Sequence, residues 1–366
     1  MLATCYPYGE IAVSGPSAPT LHVMSRVDWP LAVTVASNVS GRYPLEGTYH
    51  QTRLEQDLPG LVARASELVS AETGLSAPGL PDVAVVGRTG WVENNVASFS
   101  TLLAPAEKRL GAESGLGAAI AGRIMGAEMG AVLGFLARRV LGQYELVLPT
   151  ADGDDGDTVI FVGPNLLKME RDHAFRPDDF RFWVALHECT HRLQFTGVPW
   201  LRSYFLGLVE ELIAKTKPES GHLQRVANEL RAAAAAGEPL IDESGIFGIF
   251  ATPEQRAVID RVQALMALLE GHGHVVMDRI GERELVTQKR MSAVLKARRS
   301  DKRTAALMRL IGLEMKLRQY EMGAEFINAV EDRAGWSALD TAWEGSDALP
   351  TLEEIGNPER WLQRIA

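Results

Sequence analysis

Between Leu116 and Leu136 a glycine recurs at every fourth position: Gly122, Gly126, Gly130 and Gly134. Residues four apart share one face of an α-helix, so these glycines make a stripe without side chains. The stripe lowers helix propensity, and a second backbone lying close against it offsets that cost. This segment therefore demands a helix with another helix crossing it at close range. It is also long enough to span a bilayer. However, Arg123 and Glu128 lie inside it, and a charge at mid-membrane is costly. The expectation is a buried helix of a soluble protein, with no membrane partner.

Composition agrees with a packed interior. The 366 residues are 46% hydrophobic and 23% charged, which excludes wholesale disorder. Lys and Arg (37) are outnumbered by Asp and Glu (47), giving a net charge of −10 and no basic footprint for nucleic acid. Two cysteines, Cys5 and Cys189, make no disulfide framework and fit a reducing, cytoplasmic setting. Residues 1–25 are rich in Pro, Gly and Ser, lack the pattern of a secretory signal, and read as a disordered extension. Met24 stands just before the patterned chain and is an alternative start to Met1.

Residues 26–145 read as a helical region. It contains a helix after Pro59, a short strand or turn over Asp82–Gly90, a helix over Trp91–Leu103, and the glycine-striped helix running on to Gly142. Residues 146–366 read as the catalytic region, packed with the first as one unit. Glu145–Pro149 and Thr158–Val162 are rich in β-branched and apolar residues and predict a hairpin across a Gly/Asp connection. The Asp152–Asp157 cluster looks like a calcium loop, but Gly163 stands where an EF-hand needs its closing glutamate, so it reads as a solvated turn. Helices follow over Pro177–Phe195, Trp200–Lys215, Leu223–Ala236, Pro253–Ile280 and Thr304–Val330, with Pro350–Ala366 as a tail packed on the surface. The fold class is mainly α with a small β-hairpin or sheet (α+β).

The chemistry lies in His187-Glu188-Cys189-Thr190-His191. On a helix, His187 and His191 share a face and can present two imidazole nitrogens to one metal ion. Glu188 is turned about 100° around the axis. It can stand beside the metal without ligating it and take a proton from water as a general base. The surrounding Phe180, Phe182, Trp183, Val184, Leu186, Leu193 and Phe195 make the helix apolar on most sides. Burying two His and one Glu there without a partner is costly, and a metal resolves that cost. Zn2+ is the natural ion for two imidazoles plus a carboxylate or a third His.

Glu270, in Leu268-Leu269-Glu270-Gly271-His272-Gly273-His274, is the leading third ligand. His272, His274 and Glu211, which falls 20 residues after His191, are its rivals. His274 and Asp278 follow Glu270 at four and eight residues, and Asp278 is placed to orient a ligand histidine. Cys189 points elsewhere on the helix and reads as a small buried hydrophobe rather than a thiolate ligand. The strand Thr158–Val162 is a candidate edge for an extended substrate. His272, His274 and Tyr320 are candidates to stabilise an oxyanion.

The run Asp179–Phe195, together with Arg139–Tyr144, Gly163-Pro164-Asn165, Val198–Leu201, Leu269–His272, Val276–Asp278, Gly312–Lys316 and Gln319-Tyr320, resembles a zincin-like metal hydrolase family. That family is found mainly in actinobacteria, and some members are labelled as associated with deazaflavin coenzyme biosynthesis. The likeness runs from about residue 26 to 366. It implies a mostly helical zincin-type fold and a zinc site, and it supplies no substrate. The functional expectation is a zinc-dependent hydrolase, metallopeptidase-like, acting on a peptide or small amide. The alternative is a zinc-bearing scaffold or regulatory module without turnover.

Overall fold

The structure, a computed structural model, describes residues 27–109, 116–147, 156–214, 253–299 and 314–366. The expected N-terminal extension, the choice between Met1 and Met24, and the Leu223–Ala236 helix lie outside the described residues.

Helix α1 (Trp29–Ser40) starts at Asp28, whose Oδ1 accepts the Leu31 N–H at 3.0 Å, with Pro30 in its first turn. Helix α2 spans Tyr49–Thr73 without a break at Pro59. The proline and Gly60 are exposed, so the carbonyl freed by the missing N–H faces water. On the other side Leu54, Leu58, Val62, Ala65 and Val69 form a continuous buried seam that holds the helix together. Strand β1 (Asp82–Val86) and helix α3 (Arg88–Arg109) follow.

Helix α4 (Leu116–Ala137) carries the glycine stripe and lies on α1. The Gly122 carbonyl accepts the Asp28 N–H at 3.0 Å. A methyl group on Gly126, Gly130 or Gly134 would overlap the backbone carbonyls of Asp28, Ala32 and Ala36 in turn. Ala119–Ala137 is long and apolar enough to cross a membrane by length and composition, and its glycine face is occupied by α1.

The helix stops at Ala137 rather than Gly142, because strand β2 begins there (Gly142–Glu145). Strand β3 (Thr158–Val162) pairs antiparallel with β2 and parallel with β1, in the order β1-β3-β2. Thr158–Val162 is therefore the central strand, with both its edges taken, and not an edge open to substrate. The hairpin exists, but its first strand lies upstream of the apolar Glu145–Pro149 run.

Next come α5 (Gly163–His173), α6 (Pro177–Gly197), α7 (Leu201–Ala214), α8 (Pro253–Glu284), α9 (Gln288–Arg299) and α10 (Glu314–Ala334). A 3-10 segment over Trp336–Trp343 leads to the short helices α11 (Leu352–Ile355) and α12 (Pro358–Ile365). One core packs α2, β3, α5, α6 and α8 around Phe161, Phe180 and Leu186. A second packs α7, α8 and α10 with the C-terminal segment around Leu268, Phe326 and Trp361. The tail is thus anchored inside rather than laid on the surface: Trp361 is fully buried and donates to the Ala348 carbonyl at 2.8 Å. The architecture is mainly α with a three-stranded sheet among the described residues.

Candidate metal centre

Helix α6 carries the motif. Pro177 opens its first turn, and Asp178 and Asp179 meet the positive end of its dipole. Phe180, Phe182, Trp183, Leu186 and Leu193 are buried around it. Helix α8 runs antiparallel across the motif face. Gln194 Nε2 donates to the Leu269 carbonyl at 3.0 Å. A methyl on Gly273 would stand 3.4 Å from His191 Cε1 and 3.5 Å from His187 Nδ1. One on Gly281 would stand 3.4 Å from Trp183 Cδ1. Later residues of α8 thus meet earlier residues of α6. At Gly273 the α8 backbone comes up to the edges of both imidazoles.

This crossing brings Glu270 to the two histidines. His187 Nε2 and His191 Nε2 are 3.1 Å apart, and Glu270 Oε2 lies 3.6 Å from the first and 3.4 Å from the second. The three ligand atoms share one small volume, all within 4.8 Å of one another. Donors that hold one zinc ion tetrahedrally at about 2.0–2.2 Å stand about 3.3–3.6 Å apart. The observed triangle is close to that size, so these residues fit the ion. Glu270 is buried and the histidines are partly so. Burial alone would pull His191 down, but the Glu270 carboxylate beside it, with Glu188 and Gln194, holds its imidazole up at about 9.

Glu188 is buried against the first residue of β2: a methyl on Gly142 would stand 2.7 Å from Glu188 Oε1 and 2.8 Å from its Cγ. Only a residue without a side chain leaves the carboxylate this space. Gly142 carries no sequence signature of that role, since it reads equally as a helix stop.

The rivals for the third position each have another partner. His272 is buried, accepts from Gln194 Nε2 at Nδ1 (3.0 Å), and packs against the Trp336 and Trp343 rings. Burial, with His191 nearby, pushes its imidazole down to about 3. Glu211 pairs with Arg261 on the exposed side of α7. His274 lies 3.5 Å from Asp278, which also accepts from Gln288 at 2.8 Å. Asp278 thus meets His274 and Gln288 rather than a histidine of the triangle. The side chain of Tyr320 lies outside the described residues. Cys189 is fully buried beside Ser66 and Val62, and burial pushes its thiol up to about 12. Asp157, from the acidic cluster, is engaged by buried Arg192 at 2.7–3.0 Å.

One participant escaped the reading of the motif. Gln194 is fully buried, and its Oε1 is 2.9 Å from His191 Nδ1. Its only signal is position: three residues after His191 and seven after His187, it shares their helical face.

Two histidines one turn apart on one helix, a glutamate from a helix crossing it, and a second glutamate inside the HExxH motif make the pattern of a zincin. The chain belongs to the zincin-like metallopeptidase family, whose model matches residues 27–362. It is also similar to a solved structure from Chloroflexus aurantiacus described as "a putative hydrolase with a novel fold". The two share 31% identity and a TM-score of 0.69, over 93% of this chain and 98% of that one. No curated protein matches. These likenesses carry the zincin assignment and lend nothing to an actinobacterial or deazaflavin association.

Proposed function

We propose that the protein is a zinc-dependent hydrolase of the metallopeptidase type. The observation that carries this reading is the triangle of His187 Nε2, His191 Nε2 and Glu270 Oε2, with sides of 3.1, 3.4 and 3.6 Å. These three residues would hold the ion. Zinc, when bound, supplies Lewis-acid polarisation of a carbonyl and lowers the pKa of water.

The remaining work falls to side chains and backbone of this chain. Glu188 is the general base: it takes the proton of the attacking water and returns it to the leaving amine. The Gly142 backbone closes one side of its carboxylate. Strand β2 is one of the two outer strands of the sheet and starts beside that carboxylate. An extended peptide added along β2 would pass its scissile bond in front of Glu188. His274, one turn after Glu270 on α8 and beside Asp278, is the candidate donor to the developing oxyanion.

The test is a peptide-library screen of zinc-loaded wild type and Glu188→Ala. The variant should bind one zinc per chain and lose at least about 10²-fold in turnover, the usual worth of a positioned base. Equal turnover by the two proteins would rule out this mechanism. Absence of zinc binding by the wild type would rule out the metal.

A further inference from the structure

Gln194 touches three groups, and one of them fixes the chemistry of the other two. The Leu269 carbonyl can only accept, so the atom 3.0 Å from it must be the amide nitrogen of Gln194. The other end of the amide, 2.9 Å from His191 Nδ1, is therefore the carbonyl oxygen, which can only accept. His191 Nδ1 must then carry a hydrogen. With Nδ1 as a donor, the lone pair of a neutral His191 lies on Nε2, the atom that faces His187 Nε2 and Glu270 Oε2. The second N–H of the same amide points at His272 Nδ1, 3.0 Å away, which must accept. His272 therefore carries its hydrogen on Nε2.

We propose that Gln194 is the positioning residue of the metal centre: it sets the tautomers of His191 and His272 and ties α6 to α8 at the residue preceding Glu270. The inference rests on the zinc reading above for its consequence, not for its geometry. The amide is fully buried, so water cannot substitute for it. It also sets the third corner of the triangle, because the carbonyl it holds belongs to Leu269, the neighbour of Glu270 in α8. Loss of the amide frees the His191 ring to rotate or change tautomer. It also leaves His272 Nδ1 buried without its donor and takes the side-chain donor from the Leu269 carbonyl.

Two measurements on the full chain test this. The first is long-range ¹H–¹⁵N imidazole NMR of the metal-free wild type. His272, neutral there, should be in the Nε2–H form with Nδ1 as an acceptor. A His272 in the Nδ1–H form would overturn the assignment. This readout needs neither metal nor substrate. It therefore decides the role of Gln194 even if the wild type binds no zinc and the hydrolase reading falls.

The second is zinc affinity of wild type and Gln194→Met, by competition with a chromophoric chelator. The variant keeps the volume and loses the amide. Its affinity should fall about 10–100-fold, the usual effect of removing a partner that orients a ligand histidine. An unchanged affinity in a folded variant would overturn the proposal. If the variant does not fold, the wild-type tautomers alone decide.

Discussion

Gly142 lies directly over Glu188: a methyl group on its Cα would stand 2.7 Å from the carboxylate oxygen Oε1. The first residue of β2 and the second residue of the metal-binding motif are thus fitted to each other across 46 positions of sequence. An alanine at 142 must either push the carboxylate aside or lift β2 from α6.

For Gly142→Ala the expected result is a protein that still binds zinc, since no residue of the triangle is touched. Peptide turnover should fall at least tenfold. Overpacking of this kind costs about 1–3 kcal/mol, so the melting temperature should drop as well. Zinc content and turnover, measured side by side, check the separation.

Replacement of Glu270 by Gln should weaken zinc by more than the 10–100-fold that outer partners of a ligand contribute. Glu211→Gln, which only breaks an exposed pair with Arg261, should leave zinc affinity unchanged. Chelator competition on both variants reads this directly. Equal loss in the two would return Glu211 to the site.

The two histidines around Gln194 have opposite effects on pH stability in the metal-free protein. His272 is held down at about 3 by burial, while an unfolded histidine titrates near 6.5. Below pH 6.5 the unfolded state binds the extra proton, so this contribution is lost as pH falls. His191 is held up at about 9, mainly against burial by the Glu270 carboxylate. Its contribution is present below pH 6.5 and is lost as pH rises towards 9. Melting temperature against pH should therefore fall on both sides of neutrality. NMR should show His272 still neutral at pH 5.

Cys189, with its thiol pushed up to about 12 and no exposure, should not react with a disulfide reagent in the native state. Its labelling rate should match the rate of opening of α6 and rise to that of a free thiol in denaturant. Fast labelling of Cys189 in the native protein would contradict the packing described.

At the other end of the molecule, Gly130→Val should be among the most damaging substitutions away from the metal. Its first carbon would overlap the Ala32 carbonyl and crowd Val35. Separation of α4 from α1 should lower the melting temperature by several degrees or more, with zinc affinity per folded chain unchanged.

What was legible in the sequence follows from how local each signal is. The glycine stripe and the HExxH spacing are helical periodicities, and both features stand where the periodicity places them. The helix over residues 49–73 was hidden by Pro59, because a proline reads as a stop unless its exposed side and the buried Leu54–Val69 seam are seen together. Strand β2 was misplaced for a related reason. Gly142–Glu145 is polar, and its polar side chains are met by another element: Trp91 Nε1 donates to Gln143 at 2.7 Å and Ser98 to Glu145 at 3.2 Å. No apolar pattern marks such a strand. Glu270 could be named as the leading third ligand, but its rivals could not be set aside. The choice depends on which face of α8 crosses α6, and Gly273 and Leu269 make that decision only in three dimensions.

Gly271, the residue after Glu270, abuts Gly323 of α10 so closely that a side-chain carbon on either would overlap the other helix. Two backbones in direct contact leave no side chain to yield, so α8 can neither slide nor turn about its axis without losing that seat. The depth at which Glu270 reaches towards the histidines is thus gauged from behind, by a helix that contributes no residue to the triangle. Any loosening of α10 or of the C-terminal segment packed on it would be felt as a change in metal affinity. Zinc, in turn, would act as a rivet, raising the resistance of that distant helix to hydrogen exchange.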